Sequence, residues 1–238
     1  MILLGVALYS PGRAQTPTYS WTLVLPKNET RAKDVVARDD FEAREMVQGM
    51  NTVEAVFHHR LTLQRTSISG LLSKPAPFCE LDFDAVHPFV PTSEEKKVLH
   101  EYFARGGFML MSEDVYPYTR AETLAVKSWP IVDFVTKELP AVDPNFTVER
   151  VTEKHPIFHQ FYTAKTPKAL SNELALNPRL PDFTLVSYKG HPCVFFTANC
   201  VCNETEWVPL PRPFPENTSI MEESYALVVN LYVYASMH

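Results

Sequence analysis

Three stretches of this chain carry side chains able to do chemistry. In Ser112-Glu113-Asp114, at the end of an apolar run, the paired carboxylates Glu113 and Asp114 can bind a cation or a sugar hydroxyl, or serve as general acid and base. Alternatively, Asp114 caps the loop before Pro117 and Glu113 is solvated. The second stretch, residues 154–162 (KHPIFHQFY), sets two imidazoles among three aromatic rings and a proline. Pro156 holds the backbone of His155 extended. A ring so fixed is a candidate base or ligand, or it makes one hydrogen bond that holds the loop shut. Ile157, Phe158, Phe161 and Tyr162 supply the burial that would seat the loop on a sheet, so a structural role is the stronger expectation for His155, and more so for His159.

The third group is Cys79, Cys193, Cys200 and Cys202, an even number that an exported chain could pair. Cys200-Val201-Cys202 puts two thiols on one face of a strand, tighter than the usual spacing of metal or redox motifs. With His191 and Cys193 nearby a zinc site is conceivable, but buried thiols or one disulfide are the plainer expectation. Ser112 and Cys79 have no recognisable base or elbow beside them. The adjacent His58 and His59 point to different faces of any element, which argues against joint metal binding. No metal or cofactor is expected.

The elements that position these residues alternate in type. Residues 19–26 read as a first strand, and 38–50 as a helix capped by Asp39 with a stripe of Phe41, Met46, Val47 and Met50. A strand pattern follows at Leu61 and Leu63. Residues 91–114 are the clearest unit. Thr92 with Glu95 makes a capping box, Val98, Leu99, Tyr102 and Phe103 recur at helical spacing, and Gly106 supplies a left-handed cap. "GFMLMSED" is then apolar on both faces, as in a parallel strand covered on both sides. A helix from Ser128 with Pro130 in its first turn carries Ile131, Phe134, Val135 and Leu139. "NFTVERV" is a strand, 183–201 a hairpin around Lys189-Gly190, and the chain closes in a largely apolar helix with a Ser219/Glu222 capping box. The expected fold class is α/β, a three-layer, mostly parallel central sheet flanked by helices, with a late β-hairpin.

Twenty prolines against seven glycines make for stiff connections, and residues 75–91 and 208–215 read as long surface segments. The 22 basic and 28 acidic residues are mixed along the chain, giving a net charge of −6 and no basic run that tracks phosphates. Nucleic acid is therefore not an expected partner, and no window approaches the roughly 20 apolar residues of a membrane span. Residues 1–14 resemble a secretory signal with a cut before Gln15, though without a leading basic residue; an ordinary strand is the alternative. Residues 15–238 then form one domain, exported to the periplasm or beyond. The four sequons at Asn28, Asn145, Asn203 and Asn217 fit secretion, while turn and cap roles are the plainer expectation for them.

The succession of the DDFEAREMV helix, SEEKKVLHEYFARGGFMLMSED, HPIFHQFY, the late hairpin and the terminal SYALVVNLYVYASMH resembles a bacterial, often exported domain-of-unknown-function family. That family is related to the ThuA-like and class I glutamine-amidotransferase-like fold, and the resemblance covers about residues 19–238. It implies a flavodoxin-like, amidotransferase-like scaffold. In the amidotransferases a Cys sits in a Gly-x-Cys-x-Gly elbow; Cys79, in the comparable PFCELDFDAV stretch, has no flanking glycine. Relatives tend to have Thr-His-Asn near the late hairpin, and this chain has Thr197-Ala198-Asn199. The expected function is an exported, non-catalytic domain that binds a protein partner or its own copies through proline-rich loops and apolar terminal segments. The alternative is a hydrolase-like or carbohydrate-binding enzyme relic using Glu113, Asp114 and His155.

Overall fold

In the computed structural model of the chain, residues 20–25, 33–52, 61–73, 76–84, 89–114, 129–152, 154–162, 183–197 and 218–237 are described; the side chains of 33–36, 38, 39, 42, 52, 84, 113, 114 and 218–225 are not. The 1–14 segment, His58, His59, Cys200, Cys202, Ala198, Asn199, the sequons at Asn28, Asn203 and Asn217, and the 208–215 prolines lie outside these residues.

The fold is α/β, and the described residues form seven strands in one sheet. These are β1 Ser20–Val24, β2 Thr62–Thr66, β3 Phe78–Asp84, β4 Phe108–Asp114, β5 Phe146–Arg150, β6 Phe183–Tyr188 and β7 His191–Thr197, in the order β2-β1-β3-β4-β7-β6-β5. Pairing is parallel from β2 through to β7, and only β6 runs against its neighbours. The helices α1 (Lys33–Thr52) and α4 (Thr218–Met237) cover one face. There Ala43, Met46, Met50, Leu227, Leu231 and Tyr232 pack on Trp21, Leu23, Phe78, Phe108, Leu110 and Phe195. On the other face lie α2 (Ser93–Ala104) and α3, a continuous run of α-turn Pro130–Asp133, π-helical Phe134–Glu138 and α-turn Leu139–Val142. Leu99, Phe103, Ile131, Phe134 and Leu139 pack there on Leu81, Phe83, Met109, Met111 and Phe196.

Local chemistry accounts for these elements. Thr92 and Glu95 form the expected capping box on α2. Gly106 takes φ +88°, the left-handed conformation a side chain disfavours. A Cβ on Gly107 would lie 2.3 Å from the Tyr102 ring, so only glycine lets the chain turn there. The π-helical stretch of α3 has its cause in Pro140, which has no N–H to return to Thr136; Leu139 N instead bonds Phe134 O, five residues back. Lys189 and Gly190, with φ of +50° and +81°, give the β6–β7 hairpin its left-handed two-residue turn.

Several expectations are corrected. Residues 75–91 are no surface connection over their whole length: they contain β3, a central strand, and Phe78 to Phe83 are all buried. The prolines at 75, 77, 88 and 91 flank that strand without interrupting it. The first helix starts at Lys33, so Asp39 lies inside it and is not its N-cap residue. Phe41 is 55% exposed while Ala43, Met46, Val47 and Met50 are buried. Five residues before Met46, at about 100° per residue, Phe41 falls on the far side of the helix. Phe161, counted as an anchor of its loop, is 44% exposed. The C-terminal helix begins at Thr218, so Ser219 is already within it.

On β1 the hydroxyls of Ser20 and Thr22 are buried without a hydrogen-bond partner among the described residues. Thr22→Val keeps the shape and removes the stranded hydroxyl, and is expected to raise unfolding free energy by about 1–2 kcal/mol. Urea denaturation measures it; a loss of stability would mean that the hydroxyl is satisfied in solution.

Candidate functional site

The candidate site lies at the carboxyl ends of the central parallel strands, where open α/β sheets take their ligands. β3 alternates strictly: Cys79, Leu81 and Phe83 serve the α2/α3 face, while Phe78 serves the α1/α4 face and Glu80 and Asp82 share its side. Glu80 and Asp82 are 1% and 5% exposed. Trp21 Nε1 donates to Glu80 Oε2 at 2.6 Å, and the Ser112 hydroxyl donates to Asp82 Oδ1. Register places Asp82, Ser112 and Thr197 side by side across β3, β4 and β7, all three buried. A row of carboxylate and hydroxyls thus runs beneath the strand ends.

Of these residues the sequence reading named Ser112 as a chemical group and Thr197 only as part of the Thr197-Ala198-Asn199 run; Trp21, Glu80 and Asp82 were not singled out. The missed signal is in FCELDFD, where every second residue from Glu80 is acidic in a run otherwise apolar. Such a strand, once covered on both faces, carries its carboxylates inside.

Glu113 and Asp114 close β4, opposite Phe83 and Asp84 in register, with their side chains outside the described set. His155 stands elsewhere. It follows β5, and β5 is three strand spacings from β4, about 14 Å. Its Nδ1 accepts the backbone N–H of Ile157 at 3.2 Å, capping the 3-10 turn Pro156–Phe158, and its Nε2 lies 3.8 Å from Glu149 Oε1. The ring meets Tyr234 edge-on at 5.8 Å. Ile157 and Phe158 are fully buried, as the plug reading expects.

The clamp on this loop is Asn230 of α4, 0% exposed. Its Oδ1 accepts the backbone N–H groups of Phe161 and Tyr162 at 2.9 and 2.8 Å, and its Nδ2 donates to Tyr162 O at 2.8 Å. One amide thus replaces a short piece of backbone ladder between loop and helix. The sequence gives no local sign of it, because the partners lie nearly seventy residues apart.

Cys79 and Cys193 are free, buried thiols. Burial pushes Cys79 up to about 12, against the hydrogen bond from Tyr102, and pushes Cys193 up as well. The Tyr102 hydroxyl lies 3.2 Å from Cys79 Sγ, 2.7 Å from Ala76 O and 2.9 Å from Phe108 O, which pins α2 to the starts of β3 and β4. Among the described residues no group of three or more His, Cys, Asp or Glu is placed to hold a metal ion, and no helix is long and apolar enough to cross a membrane. A groove of about 520 Å³ between α2 and α3 is lined by Lys96, His100, Phe134 and Leu139. At its end His100 Nε2 is 3.2 Å from Asp143 Oδ2.

Two outcomes follow from the latched loop. Asn230→Ala strands two N–H groups and a carbonyl, and is expected to cost about 2–4 kcal/mol in urea unfolding and to open the chain to protease near Phe161. Resistance equal to the parent's would deny the clamp. Burial holds the His155 imidazole below the ordinary value of 6.5, opposed by the Glu149 carboxylate. As pH falls below about 6.5 the unfolded chain takes up the proton first, so this stability is present above that pH and lost below it. The slope of unfolding free energy between about pH 5 and 7 should therefore flatten in His155→Gln; an unchanged slope would place the titration elsewhere.

No curated protein matches the chain. A family model described as a domain of unknown function (DUF4159) matches residues 83–236, from the end of β3 through nearly all of α4, and by that match, which spans well over half of its length, the chain belongs to this family.

Proposed function

We propose that the chain is a non-catalytic α/β domain, exported from a bacterial cell, that serves as a structural or protein-interaction subunit. Its scaffold is taken as a relative of the ThuA-like and class I glutamine-amidotransferase-like folds. The strand order β2-β1-β3-β4-β7 supports that kinship, since it follows the doubly wound order with its switch point between β1 and β3. Scaffold kinship carries no activity with it.

The observation that carries the proposal is the state of Cys79. A nucleophilic thiol needs access and a lowered pKa. Cys79 is 0% exposed, sits inside β3 without an elbow, and is held near 12 beneath Tyr102. His155, a candidate of the enzyme-relic alternative, uses its ring as a backbone cap.

A second reading is favoured by the buried row at Asp82, Ser112 and Thr197, which leads to the strand ends at Asp84 and Asp114. On that reading the strand-end carboxylates bind a carbohydrate or act as a hydrolase relic.

Thiol labelling tests the first reading. In a chain with Cys200→Ser and Cys202→Ser, Cys79 and Cys193 should resist a small aromatic disulfide reagent until denaturant is added. Labelling of native Cys79 within seconds would end the non-catalytic reading. Oligosaccharide binding in calorimetry that disappears in a folded Asp114→Asn variant would promote the second reading in its place.

A further inference from the structure

Among the described residues the sheet ends on β5, and the parity of its hydrogen bonds shows which backbone groups that edge turns outward. Asn145 O accepts from Lys189 N at 2.8 Å, and Val151 N donates to Phe183 O at 3.0 Å. Both lie on the register that sets Thr147 against Ser187 and Glu149 against Leu185. In an antiparallel ladder, bonded pairs alternate with pairs that exchange no bonds. Odd-numbered residues of β5 therefore bond inward to β6, and Phe146, Val148 and Arg150 direct their backbone groups away from it. Val148 is central in this row and 40% exposed, with Thr147, Glu149 and Arg150 exposed around it.

We propose that β5 pairs antiparallel with β5 of a second copy about a two-fold axis at Val148, joining two seven-stranded sheets into one. This rests on the interaction-domain reading and names its partner. The strand is complementary to itself in a single register. With Val148 opposite Val148, Thr147 faces Glu149 of the second copy, a hydroxyl donor against a carboxylate, and the outward N–H and C=O of Val148 meet their counterparts, while the Phe146 N–H stays with Asp143 O at 3.1 Å. Sliding one bonded pair toward the carboxyl end sets Glu149 against Glu149, like charges at cross-strand distance. Sliding the other way shortens the ladder. A two-fold axis repeats every contact, so the interface closes after two chains. A five-residue ladder is small beside the roughly 1,200–2,000 Å² of stable interfaces, so the dimer dissociates on dilution.

Sedimentation equilibrium of the intact chain tests this, with Val148→Pro and Val148→Lys as variants. Proline removes only an N–H that points away from β6, and so leaves the inward ladder intact; lysine puts two like charges at the axis. The parent should show a monomer–dimer equilibrium, each variant should weaken it by about tenfold or more, and circular dichroism should be unchanged. If Val148→Pro fails to fold, Val148→Lys decides. In the parent, the Val148 amide should gain protection from hydrogen exchange as concentration rises. A parent that stays monomeric, a dimer equally tight in the folded variants, or a Val148 amide protected only by a different protein would each overturn the proposal. A monomer without reactive Cys79 removes this pairing alone; a dimer with a reactive Cys79 removes the non-catalytic reading alone.

Discussion

β3 is covered on both faces, yet one of those faces carries carboxylates, and the centre of the molecule is organised around that conflict. A buried carboxylate costs several kcal/mol unless it is hydrogen-bonded. Glu80 can lie inside because β1 brings the Trp21 indole N–H to it, and Asp82 because β4 brings the Ser112 hydroxyl. A slip of one residue by either neighbour would carry its donor to the opposite face of the sheet. The two polar pairs thus help to set the register of the three central strands, and that register leaves β3 and β4 ending level, Asp84 beside Asp114.

How legible this was in the sequence depended on distance along the chain. The α2–β4 unit could be read residue by residue, because a capping box, a helical period and a left-handed glycine all act within a few positions. The hairpin at Lys189-Gly190 was legible for the same reason. β3 was not, because prolines crowd both its ends and its acids suggest an exposed face; only their pairing with Trp21 and Ser112 makes burial tolerable. The same holds at the site. Ser112 was named, but Asp82 and Thr197 are its neighbours only through strand pairing. His155 was weighed both as a chemical group and as a plug, and nothing local to it announces Asn230.

The interior polar groups share a pattern. Asn230 serves the backbone of the 154–162 loop, Tyr102 serves the carbonyls of Ala76 and Phe108, and the His155 ring serves the amide of Ile157. Each ties an element to its neighbour and rigidifies the frame. The family match begins near the end of β3 and so takes in Ser112, the latched loop and Asn230, while Trp21 and Glu80 lie before it.

The place of β7 has a consequence for how the chain comes together. It is the last of the described strands to be made, yet it sits between β4 and β6, with Met109 paired to Val194 and Leu110 to Phe195. During synthesis the earlier strands can assemble from β2 to β4 while β4 still shows a bare, strongly apolar edge. That edge must wait for the hairpin to emerge, and such a wait is where nascent chains meet chaperones or one another. The left-handed turn at Lys189-Gly190 shortens the delay, because β6 and β7 form locally and can dock as one ribbon.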